Sequence, residues 1–268
     1  MDIRYCANQR DVKRYTTEEL RDEFLISNLY VPDTVVAVYS HVDRMVTLGC
    51  MPVEETVSIE KGIDCWKNFG TDYFLERREI GIFNIGGDGV ITADGVEYRL
   101  GYKDCLYITK GTREVFFKSC EKERPAKFYM VSAPAHTAYE TKLLTIKDAV
   151  KRQLGDEASS NRRVLNQFIH PDVLKTCQLS MGMTALEPGK RLEQHALSHP
   201  RAAHGDLHVF RGAGKPGGHA FHGRADPDQT SGDEKRGGGD QPVLEHPLRS
   251  RNQQLYVYLG NGRGKPSV

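Results

Sequence analysis

Residues 79–100, EIGIFNIGGDGVITADGVEYRL, decide the fold class of this chain. Apolar residues alternate through EIGIFNI, which is typical of a β-strand. The GGDG that follows favours a turn over a phosphate loop, because neither a helix nor a Lys-Ser/Thr pair comes after it. The tripeptide Ala93-Asp94-Gly95 is a hairpin signal between two more short strands. The stretch therefore predicts strands joined by tight turns.

Similar signals extend over the first 189 residues. Further strands are predicted at 34–39 (TVVAVY), 105–108 (CLYI), 114–117 (EVFF), 126–132 (AKFYMVS) and 177–181 (CQLSM), the last of which opens a second strand set. Thr16 and Glu19 fit a capping box and predict one early helix, and residues 148–153 are interpreted as a helical linker. We predict a mostly all-β chain of sandwiches or barrels, with the second barrel truncated after its first strand.

Length, charge and cysteine usage exclude several classes of protein. The chain has 268 residues, and 37 Lys and Arg against 36 Asp and Glu give a net charge of +1, which argues against a general nucleic-acid binder. No run of about 18 apolar residues predicts a membrane span, and the charged first 20 residues lack a secretory core. The six cysteines form no C-x-x-C pair and favour a cytoplasmic protein with free thiols.

The composition changes after Gly189. Residues 190–268 hold 13 of the 26 Gly and 7 of the 10 His, but no Ile, Met, Trp or Cys. They carry 12 basic and 8 acidic residues, whereas the preceding part carries 25 and 28. So few core-forming residues predict an irregular or disordered tail. We therefore divide the chain into an N-terminal domain (1–150), a linker with the start of a second barrel (151–189), and this tail.

Four arginines are candidate substrate-binding residues. Arg77 and Arg78 stand in the charge run ERRE before a predicted strand, and Arg162 and Arg163 precede an apolar pair. A guanidinium group binds a carboxylate with two parallel hydrogen bonds. The alternatives are a solvated or subunit-facing salt cluster for the first pair and a domain-linking salt bridge for the second. The sequence identifies no catalytic residue, and His41 is expected to make a structural hydrogen bond.

Several motifs together resemble one known family. They are YSHVDR (39–44), YFLERRE (73–79), NIGG (84–87), PAHT (134–137), SNRR (160–163) and CQLSMGMTALEPG (177–189). Over residues 1–189 the chain resembles the bacterial 5-keto-4-deoxyuronate isomerases of pectin breakdown. The resemblance implies two cupin-like β-barrels, a cytoplasmic homohexamer and a ketol-isomerase acting on a small keto-uronate. Neither a membrane nor a nucleic acid is expected as a partner.

The resemblance also implies one Zn²⁺ per subunit in the second barrel, bound by three His and one Glu. The family carries two of these His and the Glu in a segment HTHERRME, where residues 197–205 here read LSHPRAAHG. At face value His195, His199, His204 and His208 would be substitutes, but no flanking strand or helix is predicted to hold a tetrahedral site. We predict that the chain as written has no metal site and is inactive.

One inserted nucleotide near the Gly189–Lys190 junction accounts for this departure. Shifted by one base, codons for Ser198, His199 and Pro200 allow His-Thr-His, and those for 201–205 allow Glu-Arg-Arg-Met-Glu. Residues 243–247 (VLEHP) likewise allow Ser-Trp-Ser-Ile-His. Such matches occur in the same shifted reading frame from Lys190 to Pro247. We therefore interpret residues 190–268 as an out-of-frame translation.

Three interpretations follow from these patterns. The first is an isomerase by descent, with a shifted sequence after Gly189. The second is a non-catalytic cupin-like binding or assembly subunit. The third is a basic, glycine-rich tail that binds nucleic acid or an acidic partner, although its few aromatic residues are too scattered for base stacking.

Overall fold

Strands dominate the part of the chain that the structure describes. The computed structural model describes residues 1–154, 163–186, 207–210, 220–221 and 255–261. The helices are α1 (Gln9–Val12), α2 (Thr17–Phe24) and α3 (Cys65–Phe69). The strands are β1 (Asp2–Arg4), β2 (Leu25–Ile26), β3 (Val35–Ser40), β4 (Val46–Cys50), β5 (Val57–Ser58), β6 (Arg78–Asn84), β7 (Gly89–Ala93), β8 (Val96–Leu100), β9 (Cys105–Ile108), β10 (Val115–Ser119), β11 (Phe128–Pro134), β12 (Lys142–Leu144), β13 (Val150–Leu154), β14 (Arg163–Ile169), β15 (Leu179–Leu186), β16 (Leu207–Phe210), β17 (Ala220–Phe221) and β18 (Leu255–Asn261).

Two sheets in the N-terminal part enclose one core. The first sheet has seven strands in the order β1-β3-β4-β11-β6-β9-β12, and the second has four in the order β5-β10-β7-β8. Side chains of both sheets meet between them, and Leu48, Ile82, Phe117 and Phe128 have no exposed surface. Burial of apolar surface is the main favourable term in folding. We call this two-sheet unit the first sandwich.

A third sheet covers the outer face of the seven-stranded sheet. It has five strands in the order β13-β14-β15-β18-β16. Phe168 of β14 meets Phe83 of β6 edge to face, with ring centroids 5.0 Å apart, and Met181 of β15 lies over Gly81. Because both faces of β6 are covered, all its residues are buried, the even-numbered facing the first core and the odd-numbered facing the third sheet.

Most of the predicted elements are confirmed, as is the mostly β class. Strands β3, β6, β9, β10 and β11 agree with the predicted segments to within about two residues. The β7–β8 hairpin turns at Asp94 and Gly95, whose φ angles are 44° and 80°. The capping box also forms, since the Glu19 N–H donates to Thr16 Oγ1 at 3.2 Å and the Thr16 N–H donates to Glu19 Oε2 at 2.6 Å.

Two predictions for the region before Gly189 are wrong. Residues 148–153 are not helical, because Val150–Leu154 form β13 and pair with β14. The second strand set has three strands before Gly189 and not one. Polar residues interrupt the apolar pattern of β14, RVLNQFI, and its pairing with β15 shifts between Gln167 and Ile169. A bulge of this kind breaks the period of two on which the sequence prediction depends.

The tail contains three strands where no regular structure was expected. Strands β16 and β18 extend the third sheet beyond β15, and β17 pairs with β2. Their segments are short runs rich in aliphatic and aromatic residues, as in LYVYL, which favour strands despite the polar composition around them. His208 therefore lies in a strand, contrary to the prediction. The rest of the tail lies outside the described residues. In the described ranges, no helix is long and apolar enough to span a bilayer.

Thiol labelling tests the burial of this core. Cys50 is fully buried, and burial raises its pKa to about 12, whereas Cys6 and Cys120 are exposed. Because the thiolate is the reactive form, we expect iodoacetamide at about pH 8 to alkylate Cys6 and Cys120 at least about 100-fold faster than Cys50. Peptide mass spectrometry measures the rates. They should converge in concentrated urea, and fast labelling of Cys50 in the native chain would contradict the fold.

Candidate functional site

Arg78 lies inside the first sandwich and not on its surface. Its relative exposure is 6%. Its Nε donates to Ser132 Oγ at 3.0 Å, and its Nη2 donates to the carbonyls of Arg44 and Ser132 at 2.6 and 2.9 Å. The guanidinium carbon also lies 5.4 Å from the ring centroid of Phe69. Burial lowers the pKa of Arg78 to about 10. The group thus keeps its charge at neutral pH in a largely dry environment.

The carbonyl of Arg44 belongs to a strained turn. Asp43 and Arg44 connect β3 to β4 with φ angles of 52° and 54°, and the Met45 N–H donates to the Val42 carbonyl at 3.4 Å. Two positive φ angles define a type I′ turn, which is unfavourable for a residue such as Arg. The bond from Arg78 stabilises this turn. The motifs YSHVDR and ERRE, separate in sequence, therefore meet at one end of the first sandwich.

The structure describes the positions of two of the other three candidate arginines. Arg77 immediately precedes β6; its side chain is 67% exposed, and its Nε lies 3.6 Å from Glu76 Oε1. Arg163 begins β14 in the third sheet, and Arg162 lies outside the described residues. Of the described candidates, then, Arg78 and Arg163 are carried by different sheets. Binding of a carboxylate by these residues stays a prediction.

Glu79 is a buried acidic residue that sequence reasoning missed. It has no exposed surface, yet it follows Arg78 in β6 and faces the third sheet. Its Oε1 accepts the N–H groups of Gln178 and Leu179 at 2.7 and 2.8 Å, and its Oε2 accepts that of Cys177 at 2.9 Å. Three consecutive backbone N–H groups thus converge on one carboxylate at the start of β15. We call these contacts the Glu79 joint.

Tyr107 completes the Glu79 joint. Its hydroxyl donates to Glu79 Oε2 at 2.7 Å, and burial, with the neighbouring carboxylate, raises the pKa of Tyr107. The carboxylate therefore accepts four hydrogen bonds, which offset the cost of burying its charge. The signal in the sequence is that Glu79 belongs to the alternating segment EIGIFNI. It lies on the face of this strand that a second apolar layer covers. The joint positions β15 on β6, but its carboxylate has no exposed surface for a substrate.

The described residues do not fit the zinc ion that the resemblance implies. Among them, no three His, Cys, Asp or Glu side chains are close enough together to hold a metal ion. The segment at the position of the family's ligands, 197–205, lies outside the described residues. The same holds for His195, His199 and His204.

Comparison with known proteins identifies relatives of this chain. A profile of the KduI/IolB family matches residues 54–192. The 4-deoxy-L-threo-5-hexosulose-uronate ketol-isomerase of Yersinia enterocolitica is 50% identical over 189 residues, which are 70% of this chain and 67% of that protein. Proteins of the same name from Enterobacter sp. strain 638 and from Escherichia coli are 49% identical over the same share.

Solved structures give more distant similarities. An IolB-like protein from Salmonella typhimurium has a TM-score of 0.47 at 11% identity, over 82% of this chain and 84% of that one. Oxalate decarboxylase from Lactobacillus farciminis has a TM-score of 0.40 at 10% identity, over 81% of this chain and 76% of that one.

Proposed function

Because the chain belongs to the KduI/IolB family, we propose that its gene derives from a ketol-isomerase gene and that the chain as written has lost the activity. The reaction interconverts 5-dehydro-4-deoxy-D-glucuronate and 3-deoxy-D-glycero-2,5-hexodiulosonate in uronate breakdown. The observation that carries the proposal is the 50% identity to a named ketol-isomerase over 189 residues. The family's reaction class is an aldose–ketose type isomerisation.

The chemistry defines what the site must supply. A base removes a proton from the carbon next to the carbonyl, an enediol forms, and the proton returns to the neighbouring carbon. Hydrogen-bond donors must stabilise the enediolate oxygen, and a cation must hold the uronate carboxylate. Arg77 is suited to the last task, because its guanidinium is 67% exposed. No described residue is placed as the base.

The loss of activity is proposed because similarity to the relatives stops where the composition changes. The family profile ends at residue 192, and the alignments cover 189 residues. The tail lacks the HTHERRME segment of the family. For the in-frame protein, we propose a cytoplasmic homohexamer that binds one Zn²⁺ per subunit. For the present chain we propose no zinc at that position.

An assay of the purified 268-residue chain tests this proposal. We expect its isomerase activity to be at least about 1,000-fold below that of the Yersinia enterocolitica relative prepared alongside, because such enzymes accelerate reactions by about a millionfold or more. Metal analysis should find far less than one zinc per chain. Activity within about tenfold of the relative, with stoichiometric zinc, would overturn the proposed loss.

A binding subunit is the second candidate function. One observation favours it: the buried residues of the first sandwich's core all lie between Val35 and Met130. A unit with a complete core can remain folded when the rest of its chain is altered. Limited proteolysis that leaves a folded, inactive N-terminal fragment would support this function, and full isomerase activity of the whole chain would exclude it.

A further inference from the structure

Strand β1 forms a free edge of the seven-stranded sheet. It is the terminal strand of that sheet, and among the described residues no strand pairs with its outer edge. The Arg4 carbonyl accepts the His41 N–H at 2.9 Å, so Arg4 directs its backbone groups towards β3. Since the backbone groups of successive strand residues point to opposite edges, Ile3 directs its N–H and C=O to the outer edge. Such an edge can pair with a strand of another chain.

The side chains beside this edge are apolar on one face of β1. Ile3 and Tyr5 lie on this face and are 41% and 72% exposed. The Tyr5 ring stacks on His41, with ring centroids 4.5 Å apart and an angle of 11° between the planes, and Met1 packs against the first core. The second sheet has four strands against seven, and the exposure of Ile3 and Tyr5 shows that it does not cover β1.

The other face of β1 is charged. Arg4 Nε donates to Asp2 Oδ2 at 3.0 Å, and Arg4 Nη1 and Nη2 donate to the carbonyls of Glu23 and Leu25, each at 3.0 Å. Charges on an edge strand prevent pairing when like charges come to face each other. Because β1 carries one charge of each sign, the effect of these charges depends on the register of the pairing.

One antiparallel register between two copies brings only opposite charges together. Pairing centred on Ile3 places Asp2 of each copy opposite Arg4 of the other. The Ile3 N–H and C=O would then exchange two hydrogen bonds with the same groups of the copy, and Tyr5 would lie opposite Met1. The two nearest registers that also use the outward backbone groups are centred on Asp2 and on Arg4. Each of these places like charges opposite each other.

We propose that two copies of the chain associate through β1, in an antiparallel pairing centred on Ile3 that joins their seven-stranded sheets. The contact is two-fold symmetric, so each copy contributes the same surface. It specifies a surface and a register, and it depends neither on the tail nor on isomerase activity. Because the contact is small, we expect a dissociation constant of about 10–100 µM.

Sedimentation equilibrium of the 268-residue chain at about 1 to 300 µM tests the proposal. Asp2→Lys should weaken the dimer at least about tenfold, because it places like charges opposite each other twice. Glu97→Lys makes the same change of charge on an exposed residue of β8 and should leave the association unchanged. A chain that stays monomeric throughout this range, or equal association of the two variants, would overturn the proposal.

Ile3→Pro tests the backbone pairing itself. It removes the outward N–H, and proline is tolerated on an edge strand whose N–H faces solvent. We expect the dimer to weaken at least about tenfold, because both hydrogen bonds centred on Ile3 require this group. Ile3→Val keeps the N–H and should dimerise like the parent chain. Dimerisation of Ile3→Pro with unchanged affinity would show that another surface is used and would overturn the proposal.

Cross-linking locates the contact. In the proposed register the two Ile3 Cα atoms lie about 5.5 Å apart, within the range that a disulfide spans. Cys6→Ser and Cys120→Ser first remove the exposed thiols. In that background, Ile3→Cys should form a covalent dimer when copper phenanthroline is added as the oxidant, and Glu97→Cys should not. A chain that dimerises without this cross-link, or equal cross-linking at both positions, would contradict the proposed register.

Discussion

Deleting one nucleotide at the Gly189–Lys190 junction is expected to give an active ketol-isomerase from a chain that we propose to be inactive. The shifted frame allows the HTHERRME segment of the family in place of residues 197–205. Since enzymes of ordinary power accelerate reactions about a millionfold or more, the expected gain is at least about 1,000-fold over the present chain. The measurement is the isomerisation rate of a keto-uronate, followed by zinc analysis of the purified protein.

The structure before the junction is suited to this rescue. Strand β15 reaches Leu186, just before the junction, and its pairing with β14 is independent of the tail. The Glu79 joint and the packing of Met181 against β6 also use only residues before Gly189. The in-frame sequence would therefore continue a sheet whose first three strands are already in place.

Two matched controls distinguish the effect of the restored reading frame on activity from the effect of deleting bases at this position. Removing a whole codon at the same position keeps the present frame and should leave the chain inactive. A stop codon after Gly189 should also give no activity, which would show that the restored segment is required. A folded, frame-restored chain without isomerase activity would overturn the proposed function. Sequencing genomic DNA across codons 186–204 then shows whether the extra base is in the gene.

Most of the strands were predicted from local periodicity in the sequence. The strands that were missed have physical reasons for it. β3, β6 and the β7–β8 hairpin follow from alternation and from turn residues. β4, VTLGC, was not predicted, because it is only five residues long and contains a glycine, which disfavours a strand, although its apolar residues alternate. Its Gly49 permits close contact with Leu29, which no pattern within the strand reveals.

The candidate site was predictable only in part, because its contacts join distant residues. The sequence singled out Arg78, but its partners Arg44 and Ser132 lie 34 and 54 residues away. The charge run ERRE was interpreted as one cluster, whereas a strand directs neighbouring residues to opposite faces. Arg78 consequently enters the first core and Glu79 enters the layer beneath the third sheet. The face that each residue occupies depends on where β6 begins, and a one-residue error reverses it.

Replacing Glu79 by Gln is expected to lower the melting temperature by about 4–16 °C. The substitution keeps the size of the side chain but turns one acceptor into an N–H donor that faces backbone N–H groups. Leaving buried hydrogen-bonding groups without partners, with the loss of a charge, costs about 2–4 kcal/mol. In a chain of this size each kcal/mol shifts the melting temperature by about 2–4 °C. Differential scanning calorimetry measures the shift.

Two further variants assign this loss to the Glu79 joint. Tyr107→Phe removes one of the four hydrogen bonds and should cost about 1 kcal/mol. Glu97→Gln changes an exposed residue of β8 and should leave the melting temperature within about 1 °C of the parent. Because Glu79 accepts the Cys177 N–H, opening of the joint should also speed alkylation of Cys177 in Glu79→Gln but not in Glu97→Gln. If Glu79→Gln lowers the melting temperature strongly but leaves the alkylation rate of Cys177 unchanged, the substitution disturbs the first core and not the contact between the sheets. Faster labelling would establish that one carboxylate, in a strand otherwise rich in apolar residues, holds the third sheet on the first sandwich.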